Sequence, residues 1–197
     1  MFRGPTCLPV THSGGLYILT FAANYPDQVA GMVLLDSTAP APAPGPPTKT
    51  GSYDLLGRIS ALLPAMAHLG VARLYAQFSY DTLPTRSRDE ARARSGTASD
   101  VESFINEFRA GAMAMQQAAS LVDFAGKPLI VVTAGRGHDA KWLSAQKDLA
   151  TLSTNSRHRV VADATHASLV LDETDAAAAS QAIRDVVASL RTSKPLN

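Results

Sequence analysis

Thr11-His12-Ser13-Gly14-Gly15 is the stretch of this chain whose residue types and spacing could do chemistry. A serine hydroxyl is a weak nucleophile until a base takes its proton, and it must be presented on a turn that exposes Oγ. The nucleophile elbow, a sharp strand-to-helix turn, does this; small residues stand two before and two after the serine because the backbone there is crowded and strained. Gly15 supplies the small residue after Ser13, whereas Thr11 stands where the pattern G-x-S-x-G has its first glycine. Alone, a Ser-Gly-Gly triplet is commonly an ordinary turn.

The flanking sequence favours the elbow. Gly15 to Tyr25 reads as a helix with Leu16, Leu19, Phe21 and Ala22 on its apolar face, stopped by Tyr25-Pro26-Asp27. Val29-Ala30-Gly31-Met32-Val33-Leu34-Leu35 is a continuous apolar run ending at Asp36, as expected of a parallel strand buried on both faces. The order is strand, elbow, helix, strand.

Further elements follow in sequence. Residues 37–51 are rich in proline and alanine and read as an extended linker, since proline fixes φ and removes a donor. Over 52–120 the pattern is all-helical: Leu55, Leu56, Ile59, Leu62, Leu63 and Met66 at helical spacing, then Leu69, Val71, Leu74 and Tyr75. Ser99 and Glu102 form a capping box before Val101, Phe104, Ile105, Phe108, Ala112 and Met115, which share a face. Lys127 to Gly135 reads as a buried strand opening into Arg136-Gly137-His138-Asp139, followed by a helix with Trp142, Leu143, Leu149 and Leu152 apolar. Arg159-Val160-Val161 is a short strand, Ala164-Thr165-His166-Ala167-Ser168 follows it, and a last helix runs from about Asp175 to Arg191.

The chain has 197 residues, 46% of them hydrophobic, enough for one sizeable core. Its 18 basic and 17 acidic residues give no field that would attract nucleic acid. Cys7, the single cysteine, cannot form an internal disulfide and reads as a small apolar residue rather than a catalytic thiol, which leaves the redox compartment undecided. Met1 to Val10 lacks the basic start and apolar core of a signal peptide, and no run is long enough to cross a bilayer. The expectation for the given chain is a soluble protein, cytoplasmic by default. No spaced His, Cys, Asp and Glu cluster suggests a metal, and no cofactor is expected.

His12-Ser13-Gly14-Gly15-Leu16-Tyr17, followed by Phe21-Ala22-Ala23-Asn24-Tyr25-Pro26-Asp27-Gln28-Val29-Ala30-Gly31-Met32-Val33-Leu34-Leu35-Asp36, resembles the α/β-hydrolase superfamily. Members often carry Gly-His-Ser-x-Gly-Gly there; this sequence is one residue shorter, with Thr11 for the leading glycine. The resemblance implies an α/β fold: a mostly parallel sheet flanked by helices, with 52–120 as an inserted helical cap that shapes an apolar acyl or alcohol pocket. In that superfamily the elbow follows the fifth strand of an eight-stranded sheet, whereas here it begins at residue 11. The expectation is one domain over 1–197 that lacks the early strands.

The resemblance also implies site residues. His166, after the last strand, is the expected general base, because neutral imidazole can take the serine proton near pH 7 and return it to the leaving group. Two carboxylates stand in the order Ser, Asp, His: Asp36, directly after the sixth-strand-like run, and Asp139, in the loop after the seventh. Asp36 is favoured because it ends the strand directly, but Asp139 stays open, and each has an ordinary alternative role as a turn or helix cap. The N–H of Gly14 would contribute to an oxyanion hole, whose second donor has no candidate in this sequence. His12, beside the serine, reads as an elbow residue, and His68, His138 and His158 have no supporting context.

The function expected is therefore hydrolysis of a small-molecule carboxylic ester through a Ser13, His166 and Asp36 or Asp139 triad and an acyl-enzyme. Serine at the nucleophile position argues against the carboxylate-based alkyl-enzyme route of haloalkane dehalogenases. The alternative, favoured by Thr11, the shortened elbow and the missing early loop, is a non-catalytic remnant acting as an interaction protein.

Overall fold

The computed structural model describes residues 6–11, 13–40, 74, 77–78, 80–95 and 97–196. In chain order the elements are β1 (Thr6–Thr11), α1 (Gly14–Asn24), a short 3-10 turn (Pro26–Gln28), β2 (Val29–Leu35), α2 (Thr85–Arg94), α3 (Ala98–Ala118), β3 (Leu129–Ala134), α4 (Ala140–Ala150), β4 (Ser156–Val161), α5 (Ser168–Leu171) and α6 (Glu173–Thr192). The chain divides into two compact units, residues 1–43 with 113–197, and residues 44–112. His12, His68 and the apolar positions expected at 55–71 lie outside the described residues, as does all but the first part of the 37–51 linker.

The first unit is built on a parallel sheet of order β1-β2-β3-β4. Its inner strands are apolar but for the buried Thr133, because both faces are covered. On one face Met32, Leu34, Leu129 and Val131 pack against Leu16, Leu19 and Ala22 of α1, Leu149 of α4, and Ala114 and Ala118 near the end of α3. On the other, Val33, Leu35, Ile130 and Val132 meet Leu169 of α5 and Ala179, Ala182 and Val186 of α6. The alternation of consecutive β2 and β3 residues between the two clusters is the period-2 geometry of a strand.

Helix boundaries follow local chemistry. Asp139 accepts from the Trp142 amide and so caps α4; Asp172 accepts from the amides of Thr174 and Asp175 and caps α6. Thr97, not the expected Ser99, caps α3: its Oγ1 accepts from the Asp100 amide at 3.1 Å. β4 starts at Ser156, three residues before the expected Arg159. The segment Ser156-Arg157-His158-Arg159 escapes an apolar-run criterion because it pairs only with β3 among the described strands and keeps polar side chains.

In the second unit, α2 is charged and buries no residue. Arg92 Nη2 donates to Asp81 at 2.6 Å, and the Tyr80 hydroxyl and Ser95 Oγ are 2.8 Å apart, which ties the helix to the segment before it. Among the described residues, no helix is long and apolar enough to cross a membrane.

Gly135 closes the turn out of β3 where no side chain fits. A Cβ there would lie 2.7 Å from the Ala162 Cα and closer still to the Ala162 carbonyl oxygen, backbone atoms that cannot rotate away. Gly135→Ala is therefore expected to lower unfolding free energy by about 2–4 kcal/mol, read as a lower urea midpoint at unchanged slope. Gly111→Ala, on α3 with nothing within 4 Å of the added Cβ, is expected to stabilise by about 0.5–1 kcal/mol in the same assay.

Candidate functional site

The ends of the strands assemble the site. In the parallel register Thr11 pairs with Leu35, Leu35 with Val132, and Ala134 with Val161. Residues just past these positions therefore leave the same, carboxyl edge of the sheet, where open α/β sheets form their crevices. Ser13, Asp36, the 135–139 loop and His166 all follow strand ends on that edge.

Asp36 is the hub. Its side chain is fully buried, and four donors surround its carboxylate. Oδ1 accepts from the Trp142 indole Nε1 at 3.1 Å and from the Ala134 amide at 3.2 Å. Oδ2 lies 2.8 Å from His166 Nδ1 and 2.7 Å from His138 Nε2. Asp36 also sits in the left-handed region at φ 46°, a conformation that costs a non-glycine residue on the order of 1–3 kcal/mol and persists where surroundings over-determine it. Here its own amide donates to Val132 O at 2.6 Å, and the buried Gln146 amide donates to Ser37 O at 2.7 Å, fixing the backbone on both sides.

Burial alone would push the Asp36 carboxyl up. The hydrogen bonds from His166, His138 and Trp142, with the charge interaction with His138, outweigh it and hold the carboxyl below its ordinary value. A depressed folded-state value means that Asp36 contributes stability above the unfolded value of about 3.9, and that this contribution is lost as pH falls through the lower, folded value. Urea midpoints of the wild-type chain are thus expected to drop from pH 5 toward pH 2 more steeply than those of Asp36→Asn. Parallel curves for the two proteins would contradict the assignment of that limb to Asp36.

The bond to Asp36 defines the His166 tautomer. With Nδ1 donating to a carboxylate that only accepts, the lone pair of the neutral ring sits on Nε2, the nitrogen able to receive a proton. The His166 side chain is 37% exposed, so the ring is reachable from solvent.

Ser13 immediately precedes α1, whose first amides have no carbonyl within the helix to pair with. Gly15 brings this helix start against the chain leaving β2: a Cβ on Gly15 would fall 2.6 Å from the Ser37 Cβ. The small residue required after the serine is thus required by packing beside Asp36. The strained backbone expected at the elbow is not found at Ser13, which has helical angles (φ −61°, ψ −23°) and whose carbonyl accepts from the Leu16 amide at 2.9 Å. Ser13 has joined the first turn of α1, consistent with the shortened sequence between strand and helix.

The structure separates the two candidate acids. Asp36 meets His166, while the Asp139 Oδ1 accepts from the Trp142 amide at 2.8 Å as the α4 cap. His138 and Trp142, neither of them expected at the site, both reach Asp36, and their rings stack with centroids 4.7 Å apart and planes 10° from parallel. The usable sequence signal was their position: polar-tipped side chains in and just after the loop following a buried parallel strand converge on the same crevice as those after its neighbours. His158 lies elsewhere, on β4, 2.9 Å from Thr133 Oγ1. Burial, then the charge of Lys147, hold its imidazole below the ordinary value. Among the described residues no group of three or more His, Cys, Asp or Glu side chains is placed to hold a metal ion.

No family model and no curated protein sequence matches the chain. Solved structures do. A haloalkane dehalogenase loop variant from Bradyrhizobium elkanii superposes with TM-score 0.62 at 12% identity, over 96% of this chain and 70% of that one. An N-formylmaleamic acid deformylase from Pseudomonas putida S16 gives TM-score 0.53 at 16% identity, over 88% and 64%. An α/β-hydrolase fold protein from Nakamurella multipartita gives 0.51 at 16%, over 92% and 68%. The chain spans about two thirds of the length of these structures, between 64% and 70%. Its parallel strand order, its flanking helices and these likenesses show that the chain has the α/β-hydrolase fold.

Proposed function

We propose that this chain is a serine hydrolase that cleaves carboxylic esters of small molecules. The observation that carries the reading is the 2.8 Å hydrogen bond from His166 Nδ1 to the buried Asp36 carboxylate, which leaves Nε2 to act as base. Ser13 Oγ attacks the ester carbonyl carbon while its proton passes to His166 Nε2, giving a tetrahedral oxyanion and an imidazolium stabilised by Asp36. The Gly14 N–H, at the positive end of α1, is the assigned donor to that oxyanion. Collapse breaks the bond to the alcohol oxygen, which leaves with the proton from Nε2. Water, deprotonated by the same nitrogen, then hydrolyses the acyl-Ser13 and regenerates the hydroxyl.

A serine at this position suits acyl transfer, and the names of the similar structures, a dehalogenase and a deformylase, support hydrolysis without selecting the ester. One observation favours a second reading, a non-catalytic relative: the relaxed helical backbone of Ser13. Pre-steady-state hydrolysis of p-nitrophenyl acetate separates the two. The hydrolase reading requires p-nitrophenol release with turnover that is lost in Ser13→Ala, preceded by a burst stoichiometric with protein where deacylation is the slower step; a folded wild-type chain with neither burst nor turnover selects the non-catalytic one.

A further inference from the structure

Two imidazoles meet at a single oxygen of Asp36, yet the proposed reaction uses only one of them. His138 Nε2 is 2.7 Å from Oδ2, as close as His166 Nδ1 on the same atom at 2.8 Å. The His138 side chain is 16% exposed, against 37% for His166, so of the two rings His138 is the one set into the protein. It stacks on Trp142, whose indole N–H occupies Oδ1, and Trp142 is placed by the Asp139 cap on its own amide. A chain of contacts thus runs from Asp139 through Trp142 and His138 to the carboxylate that faces His166.

We propose that His138 is a positioning residue: by donating Nε2–H to the Asp36 oxygen that also accepts from His166, it locks the carboxylate orientation and thereby holds His166 as the Nδ1–H tautomer. This rests on the hydrolase reading only for its effect on turnover. The geometry itself demands opposite tautomers, since a neutral His138 must carry its proton on Nε2 and a neutral His166 on Nδ1 for both to donate to an ionised carboxylate. A carboxylate held by His138 and Trp142 on separate oxygens cannot rotate without breaking a bond. Without His138, Oδ2 accepts from His166 alone, and only the Trp142 and Ala134 bonds to Oδ1 orient the carboxylate that selects the protonated nitrogen of the ring.

The test is long-range ¹H–¹⁵N correlation of ¹⁵N-histidine-labelled protein near pH 8, with ester turnover measured on the same samples. In the wild type, His138 is expected as the Nε2–H form and His166 as the Nδ1–H form. His138→Gln carries an amide N–H at nearly the same reach and is expected to keep the His166 tautomer and turnover within about 3-fold of wild type. His138→Leu is expected to give His166 a mixed tautomer pattern and to lower kcat by roughly 10- to 100-fold at little-changed KM, the size expected for losing a hydrogen bond to a charged group. Wild-type His138 protonated on Nδ1 would overturn the proposal whether or not any substitution folds. So would an unchanged Nδ1–H His166 in folded His138→Leu. A wild-type chain with the expected tautomers but no turnover would fail the hydrolase reading and leave the positioning role intact.

Discussion

Ser13→Ala is expected to reduce kcat for p-nitrophenyl acetate by about 10⁶-fold, and His166→Ala by a similar factor, with the double variant no worse than either. The non-additivity is the diagnostic part. A nucleophile and its base act as one unit, since without the base the hydroxyl stays protonated and without the hydroxyl the base has no proton to take. Residual hydrolysis in all three would come from binding and from the amides at the start of α1. Losses that simply multiply would mean that Ser13 and His166 do not share a step.

The second large effect separates the carboxylates. Asp36→Asn keeps the shape of the hub, but its amide N–H₂ group can only donate; where it replaces Oδ2, it turns His166 toward the opposite tautomer. A loss of about 10³- to 10⁴-fold in kcat is expected, with KM within a few-fold. Asp139→Asn is expected to leave kcat within about 3-fold, because asparagine also caps helices and α4 keeps its start. Equal losses in the two variants, in steady-state kinetics at pH 8, would contradict the assignment of Asp36 as the partner of His166.

Much of the fold was legible in the sequence because parallel strands covered on both faces are continuous apolar runs. Val29 to Leu35 and Leu129 to Ala134 are such runs, and the expected helix after Gly15 differs from α1 by one residue at each end. β4 was only half legible, since polar side chains lie along it. The α3 cap was assigned to Ser99 because a capping box fits there by spacing, but Thr97 makes the bond.

At the site, local sequence could nominate Asp36 and His166 by their places after strands, but not their partners. His138 and Asp36 are 102 residues apart, and Trp142 and Asp36 106. Only the strand register brings the loop after β3 back over the end of β2. Trp142 counted as one more apolar helix residue because periodicity weighs its ring and ignores its N–H. The relaxed backbone of Ser13 was illegible for the same reason that the elbow motif was legible: the motif records residue sizes, and the missing residue changes the angles.

Fluorophosphonate labelling of the purified 197-residue chain, with peptide mass mapping of the adduct and circular dichroism to establish folding, decides whether Ser13 is an activated nucleophile. A single phosphonylated residue, Ser13, is expected at near-stoichiometric yield, with labelling lost in Ser13→Ala and strongly slowed in His166→Ala. A folded chain that takes up no label, or takes it up at another serine with Ser13 untouched, would contradict that role.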